Sequence, residues 1–167
     1  MTTTNPIPHL LAQAAQYLVH VIVIDVSQSM DRSDWPPTRR DAALDAAGAY
    51  LTQVIICQPD ALFGLCIFSV DARILTPLTP AHVLQQQLWS LRTESDRACR
   101  EYGMGNTNIG EGLREASLML LGNNSPAQVV LLTDGEHNTG RDPLEIATQF
   151  RRIANIAVSG TESLTST

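Results

Sequence analysis

The sequence predicts an α/β fold in which a doubly wound, mostly parallel open sheet carries helices on both faces. The short run from Val21 to Ile24 is entirely β-branched and apolar, as expected of a strand buried on both faces of a parallel sheet. Strand-like and helix-like stretches then alternate along the chain, which is typical of βαβ units. One connection is too short for a crossover, so it predicts a single antiparallel edge strand.

Composition favours one folded domain. The chain has 167 residues, of which 44% are hydrophobic and 17% charged, so it can bury one sizeable core. Its formal charge of −6 disfavours binding to nucleic acid and to anionic membranes. No apolar run reaches the length of a membrane span, and the N-terminus lacks the basic region of a signal peptide. We therefore expect a cytoplasmic protein without membrane insertion.

The basic and sulfur-containing residues exclude several kinds of chemistry. All 11 basic residues are arginines, so a Schiff-base lysine and a phosphate-binding Walker lysine are both excluded. The arginine pairs 39–40 and 151–152 lie at predicted helix ends and are expected to be solvated. Cys57, Cys66 and Cys99 lack the spacing of a metal site. We expect Cys57 and Cys66 to be buried free thiols.

Two further strands and two helices are predicted after the first strand. A helix over residues 41–56 begins with the capping sequence Thr38 to Asp41 and has an apolar stripe facing the sheet. Strands over residues 62–68 and 72–78 are joined by a tight turn and must therefore be antiparallel. The pair Thr79-Pro80 is expected to start the next helix, with proline at the first helical position.

The second half of the chain repeats the pattern of helix and strand. A helix is predicted over residues 109–121, with Gly122 as its left-handed stop. The next strand covers residues 128–132 and is expected to lie beside the first strand, where the strand order reverses. Asp142 is expected to cap the last helix, and residues 155–158 form a short final strand.

Polar oxygens follow the first strand and the strand over residues 128–132. Asp25, Ser27 and Ser29 are spaced two apart, so in an extended chain their side chains project to one side. Asp134 follows the other strand at the same edge of the sheet. Carboxylate and hydroxyl oxygens are ligands that Mg²⁺ accepts, and this edge is where open α/β sheets bind their ligands.

Three stretches resemble the metal-ion-dependent adhesion site of von Willebrand factor type A domains. The segment Asp25-Val26-Ser27-Gln28-Ser29-Met30 resembles the DxSxS signature, although Gln28 replaces the glycine that is most common between the serines. Residues 105–110 resemble the segment that donates a threonine to this site. Residues 131–135 resemble the strand end that donates its second aspartate. Their order along the chain also matches the family.

The resemblance covers residues 17–160 and implies a Rossmann-like fold for this region. Residues 1–16 are then an N-terminal extension, and residues 161–167 are a polar C-terminal tail. A complete member of the family would add a further strand and a closing helix, so we expect a truncated C-terminal end.

The resemblance also implies a function. It implies a protein-binding module without enzymatic activity, in which a metal ion accepts an Asp or Glu from a protein partner. Some bacterial relatives work beside an AAA+ ATPase, so such an ATPase or a multi-protein assembly is an expected setting. The metal is Mg²⁺, with Mn²⁺ or Ca²⁺ as alternatives. The implied ligands are Asp25, Ser27, Ser29, Thr107 and Asp134.

Two other functions compete with this interpretation. A haloacid-dehalogenase-like phosphotransferase or hydrolase also places an Asp after the first strand and uses Mg²⁺. It would need an acid at the position of Ser27 and a phosphate-anchoring lysine, and the sequence has neither. The second alternative is a structural domain with a silent site, but all five ligand types are retained.

Other residues near the motifs are weighed in the same way. His137 beside Glu136 has no His or Cys nearby in sequence, which disfavours a zinc site. The polar segment from Arg92 to Gly105 is expected to be a loop that overhangs the metal site. Trp35, in a proline-rich loop, either covers the core or contacts a partner.

Overall fold

The computed structural model describes residues 18–34, 37–93, 105–135, 137–149 and 156–158. Within these ranges one five-stranded sheet has the order β3-β2-β1-β4-β5. Strand β1 pairs in parallel with β2 and β4, strand β5 is parallel to β4, and β3 is antiparallel to β2. The predicted mostly parallel sheet with one antiparallel edge strand is confirmed. The strands are β1 Val19–Asp25, β2 Leu62–Phe68, β3 Ala72–Pro80, β4 Ala127–Thr133 and β5 Ile156–Val158.

Helices cover both faces of this sheet, as predicted. One apolar cluster lies between the sheet and helices α1 and α2, and a second cluster lies between the other face and helices α3 and α4. A short 3₁₀ helix, Gln28–Asp31, follows β1. The helices are α1 Arg39–Cys57, α2 Ala81–Thr93, α3 Ile109–Met119 and α4 Pro143–Gln149.

Strand β1 is the centre of the core. All seven of its residues are buried. Ile22 and Ile24 belong to the cluster under α1 and α2, whereas Val21 and Val23 belong to the cluster under α3 and α4. Each fully buried Val or Ile side chain contributes about 1.5–3 kcal/mol. The apolar run of β1 therefore packs against both layers of helices.

Side chains cap three of the helices. Thr38 accepts a hydrogen bond from the backbone N–H of Asp41 (3.1 Å) at the start of α1, as the capping sequence predicts. The Asp142 carboxylate accepts from the N–H of Leu144 (2.9 Å) at the start of α4. Asn108 accepts from the N–H of Glu111 (3.1 Å) at the start of α3. Each cap satisfies a backbone donor that the helix itself leaves unpaired.

Three details of the predicted elements are wrong. Pro80 is the last residue of β3, paired with Leu62, and α2 begins only at Ala81. Proline is tolerated there because a strand end at the sheet edge needs no further N–H donor. Helix α2 then continues through Arg92, so the predicted loop does not begin there. Helix α3 ends at Met119, although Gly122 does adopt the expected positive φ of 80°.

The two cysteines within the described residues differ in environment. Cys66 is buried in β2, as expected, and burial raises the pKa of its thiol to about 12. Cys57 is exposed, so the prediction that it is buried is wrong. It is the last residue of α1.

A polar network lies inside the core near the start of β1. His20 Nδ1 lies 2.8 Å from the Tyr50 hydroxyl, which donates to Gln128 Oε1 at 2.7 Å. The His20 ring also stacks on Phe63, with the ring centroids 5.1 Å apart. All three polar side chains are buried, and burial raises the pKa of Tyr50. His20 therefore has a structural environment.

The predicted boundaries of the domain stay predictions. The N-terminal extension 1–16, the limits of the domain at residues 17 and 160, and the tail 161–167 lie outside the described residues. So does the arginine pair 151–152.

Helix α3 approaches the sheet so closely that a side chain at Gly112 is excluded. A Cβ there would lie 2.8 Å from the Phe68 ring and 3.1 Å from Val23. We expect Gly112→Ala to lower the free energy of unfolding by about 1–3 kcal/mol because it overpacks the core. Gly48→Ala is the matched control, since a Cβ in that part of α1 meets no atom within 4 Å. It should stabilise the protein by about 0.5–1 kcal/mol. Urea unfolding measures both changes, and equal stabilities would contradict the close packing of α3.

Candidate metal centre

The candidate site lies where β1 and β4 end side by side. The register of this parallel pair matches Ile24 with Leu132, so the next residues, Asp25 and Thr133, are neighbours. The Thr133 hydroxyl donates a hydrogen bond of 2.6 Å to Asp25 Oδ2. The sequence argument that these two strands are neighbours is therefore confirmed, and their ends meet at one edge of the sheet.

Asp25 is buried and held by two donors. Besides Thr133, the backbone N–H of Ser27 donates to its Oδ1 at 2.8 Å. Burial raises the pKa of Asp25, because the carboxylate loses hydration. The hydrogen bonds from Ser27 and Thr133 oppose this rise, and the nearby charge of Asp134 adds to it. The site thus holds an aligned carboxylate at some electrostatic cost.

Ser27 and Ser29 present their hydroxyls together. Their Oγ atoms are 3.1 Å apart. The sequence interpretation assumed an extended chain, but the chain turns into the 3₁₀ helix directly after Ser27, and the N–H of Met30 donates to the Ser27 carbonyl. The turn, and not strand alternation, therefore brings the two hydroxyls together.

Thr107 is buried in a loop that is tied to its neighbours. Its N–H donates to Asn138 Oδ1 at 2.8 Å, and the N–H of Asn138 donates back to the Thr107 carbonyl at 3.2 Å. The next residue, Asn108, donates its N–H to the carbonyl of Ser69 at 2.7 Å. Thr107 is thereby held between the loop after β2 and the loop that follows Asp134.

Asp134 lies directly after β4, and Gly135 turns the chain with a φ of 85°. The Asp134 side chain is only 1% exposed, and its Oδ2 accepts a hydrogen bond from Arg39 Nη1 at 2.8 Å. Arg39 also forms an ion pair with Asp34. The prediction that Arg39 and Arg40 are solvated is wrong, since Arg40 is buried and pairs with Asp31. Both arginines lie in the first turn of α1, which packs against this edge of the sheet.

The donor set fits a hard divalent cation. Carboxylate and hydroxyl oxygens suit Mg²⁺, which prefers oxygen ligands. Within the described ranges, no group of three or more His, Cys, Asp and Glu side chains could hold a metal ion. A site here would therefore depend on hydroxyls as well as carboxylates. His137 Nδ1 accepts from the N–H of Ile109 at 3.4 Å.

Sequence reasoning missed three residues of this site. Thr133 could have been found, because it precedes Asp134 and falls opposite Asp25 once β1 and β4 are paired in parallel. Asn138 had only its closeness to Asp134 as a signal. Arg39 had none, since it is 95 residues away from Asp134 along the chain. Trp35 and residues 94–104, which were expected near the site, lie outside the described residues.

The fold and the site edge define a class of open-sheet α/β domains with carboxylate and hydroxyl side chains at the ends of adjacent parallel strands. Residues 20–137 match the family model described as "von Willebrand factor type A domain". The chain therefore belongs to the von Willebrand factor type A domain family.

Individual proteins are similar to this chain in sequence or in fold. A UPF0353 protein of Mycolicibacterium paratuberculosis is 31% identical over 140 residues, which cover 75% of this chain and 36% of that relative. The chain thus spans little more than a third of the length of the curated relatives that it matches. BatB from Bacteroides thetaiotaomicron has a similar fold, with a TM-score of 0.65, 21% identity and coverage of 86% of this chain and 66% of that one. The SpRpn10 VWA domain also has a similar fold, with a TM-score of 0.63, 22% identity and coverage of 85% of this chain and 72% of that one.

Among the helices in the described part of the chain, none is both long enough and apolar enough to cross a bilayer.

The raised pKa of Asp25 predicts how the metal-free protein responds to pH. A folded pKa above the ordinary value of 3.8 means that stability is lost as the pH rises through the folded pKa. In EDTA at neutral pH, Asp25→Asn should therefore be more stable than the wild type, and the difference should shrink towards acid pH. Asp60→Asn, at an exposed carboxylate, is the control. Urea unfolding across this pH range measures the effect, and a less stable Asp25→Asn at neutral pH would contradict it.

Proposed function

We propose that this domain is a metal-dependent protein-binding module. Mg²⁺ is the proposed ion, with Mn²⁺ or Ca²⁺ as alternatives. The observation that carries the proposal is the gathering of buried carboxylate and hydroxyl side chains at the edge where β1 and β4 end, which is where open α/β sheets bind ligands. The proposed ligands are Asp25, Ser27, Ser29, Thr107 and Asp134.

The chemistry of these ligands indicates what the module binds. Three of the five are neutral hydroxyls, so few negative charges surround the ion. A bound Mg²⁺ would keep net positive character and attract a carboxylate at an open coordination position. The proposed partner is therefore a protein that offers an Asp or Glu side chain. The formal charge of −6 discourages weak binding of acidic molecules elsewhere on the surface.

A binding role is preferred over an enzymatic one. Proteins of this family act as interaction modules, and membership of the family gives no support to the haloacid-dehalogenase-like alternative. A silent structural domain is the remaining alternative. It is disfavoured because Asp25, Ser27 and Thr133 already form a connected network of hydrogen bonds around a buried carboxylate. Burying a carboxylate is costly for a site without a function.

The wider setting is proposed only in outline. The module would work in the cytoplasm, beside an AAA+ ATPase or within a multi-protein assembly. The ATPase and the assembly are proposed from the resemblance stated above.

Metal binding should stabilise the fold. An ion that binds only the native state adds RT ln(1 + [L]/Kd), which is about 2.7 kcal/mol at a hundredfold excess over Kd. Thermal melting of the wild type should therefore occur at a higher temperature in millimolar Mg²⁺ than in EDTA. Thr107→Ala should reduce this difference, whereas the exposed Thr52→Ala in α1 should not. Comparing each variant with itself removes any effect of the substitution on the fold. Coincident melts of the wild type in both buffers would contradict the metal site.

Partner binding should depend on the ion. A pulldown from native extract should recover the partner with wild type in Mg²⁺, but not in EDTA and not with Asp25→Ala. Calorimetric titration of that partner should then show a loss greater than the 0.2–1 kcal/mol typical of an exposed salt bridge when its Asp or Glu is removed. Equal affinity in Mg²⁺ and EDTA would show that the partner binds elsewhere.

A further inference from the structure

Arg39 connects two aspartates of very different exposure. Its Nε and Nη2 atoms donate to the two carboxylate oxygens of Asp34, at 2.9 and 2.5 Å. Its Nη1 atom donates to Asp134 Oδ2 at 2.8 Å. The Asp34 side chain is 56% exposed, whereas the Asp134 side chain is 1% exposed. One guanidinium therefore joins the surface to the candidate metal site.

The buried carboxylates need a cation. Asp25 and Asp134 lie at the ends of adjacent strands and repel each other when both are ionised. A buried charge is stable only when it is paired. Arginine supplies a permanent positive charge, because its guanidinium does not lose its proton in proteins. Arg39 is thus the cation that the described structure places on Asp134.

The way in which Arg39 is held allows Asp134 to be released. The guanidinium is a rigid plane, so Nη1 leaves Asp134 only when the whole group moves. The exposed Asp34 side chain can move with it and keep its bonds to Nε and Nη2, because the two aspartates bind different nitrogen atoms. A divalent ion on Asp134 would repel the guanidinium, since like charges at contact distance interact strongly at a buried site. Asp34 provides the partner that keeps Arg39 paired after it leaves.

We propose that Arg39 and the metal ion are alternative cations for Asp134, so that Arg39 lowers the metal affinity of the site and keeps the metal-free domain folded. This inference rests on the proposed function. It adds a regulatory role for a residue outside the proposed ligand set. As a consequence, the site binds metal only when the free ion concentration is high enough to displace Arg39 from Asp134.

The test compares Mg²⁺ affinity among three variants. Arg39→Met removes the charge and retains most of the aliphatic stem, and Arg39→Lys retains the charge. Arg114→Met is the matched control, because this substitution removes the same charge from the protein. Arg114 pairs with Glu111 and Glu115 on the exposed side of α3. Isothermal titration with MgCl₂ alone should show Arg39→Met binding at least about tenfold more tightly than wild type, equivalent to about 1.4 kcal/mol. Arg39→Lys and Arg114→Met should stay close to wild type.

Thermal melts of the same proteins give the second readout. In EDTA, Arg39→Met should melt below Arg114→Met, because Asp134 then lacks its cation. Millimolar Mg²⁺ should raise its melting temperature more than that of wild type. Equal Mg²⁺ affinity of Arg39→Met and Arg114→Met would overturn the inference alone. Weaker binding by Arg39→Met would overturn it too, and would show that Arg39 positions Asp134 for the ion.

Failure of the proposed function gives a different result. If neither wild type nor Arg39→Met binds Mg²⁺, the metal site itself is wrong, and a low melting temperature of Arg39→Met would then identify Arg39 as a permanent counter-ion. If Arg39→Met does not fold, a crystal structure of wild type with Mg²⁺ decides the question. We expect that structure to show a bound ion, with Arg39 Nη1 separated from Asp134 and with Nε and Nη2 still bonded to Asp34. If Nη1 still contacts Asp134 beside a bound ion, the inference is overturned.

Discussion

The parallel pairing of β1 with β4 positions the whole candidate site. It brings Asp25 beside Thr133, whose hydroxyl bonds the carboxylate at 2.6 Å. The chain leaves β1 into a 3₁₀ turn that carries the two serine hydroxyls, and it leaves β4 through Asp134. The loop of Thr107 is hydrogen-bonded to Asn138, which lies in the segment after β4. Residues that are far apart in sequence therefore share one edge because two strands share one ladder of hydrogen bonds.

Electrostatics sets the second constraint. Two carboxylates at a buried edge of the sheet favour any cation that can reach them, and they raise the free energy of the metal-free state. Helix α1 supplies such a cation, because its first turn lies against the same edge and carries Arg39. The helix thus has two roles, since its inner face fills the core and its N-terminal turn places Arg39 against Asp134.

The sequence was informative where local pattern decides structure. The apolar run of β1, the tight turn between β2 and β3 and the caps at Thr38 and Asp142 are all local signals, and the structure bears them out. Contacts between distant segments left no such signal. The pairing of Arg39 with Asp134 depends on how α1 docks, and so does the exposure of Cys57. Family resemblance supplied the set of candidate ligands, because spacing alone does not place Thr107 near the strand ends.

The polar network at the start of β1 has a consequence for the site at the other end. His20 and Gln128 are partners in the register of β1 with β4, and the Tyr50 hydroxyl links them inside the core. A slip of β4 by two residues would put Val130 or Pro126 opposite His20 and leave buried donors and acceptors unsatisfied, at about 1–3 kcal/mol each. The network therefore works as a check on sheet alignment. Misaligned sheets are penalised at the start of β1, several residues away from Asp25, so side chains outside the candidate site help to fix its geometry.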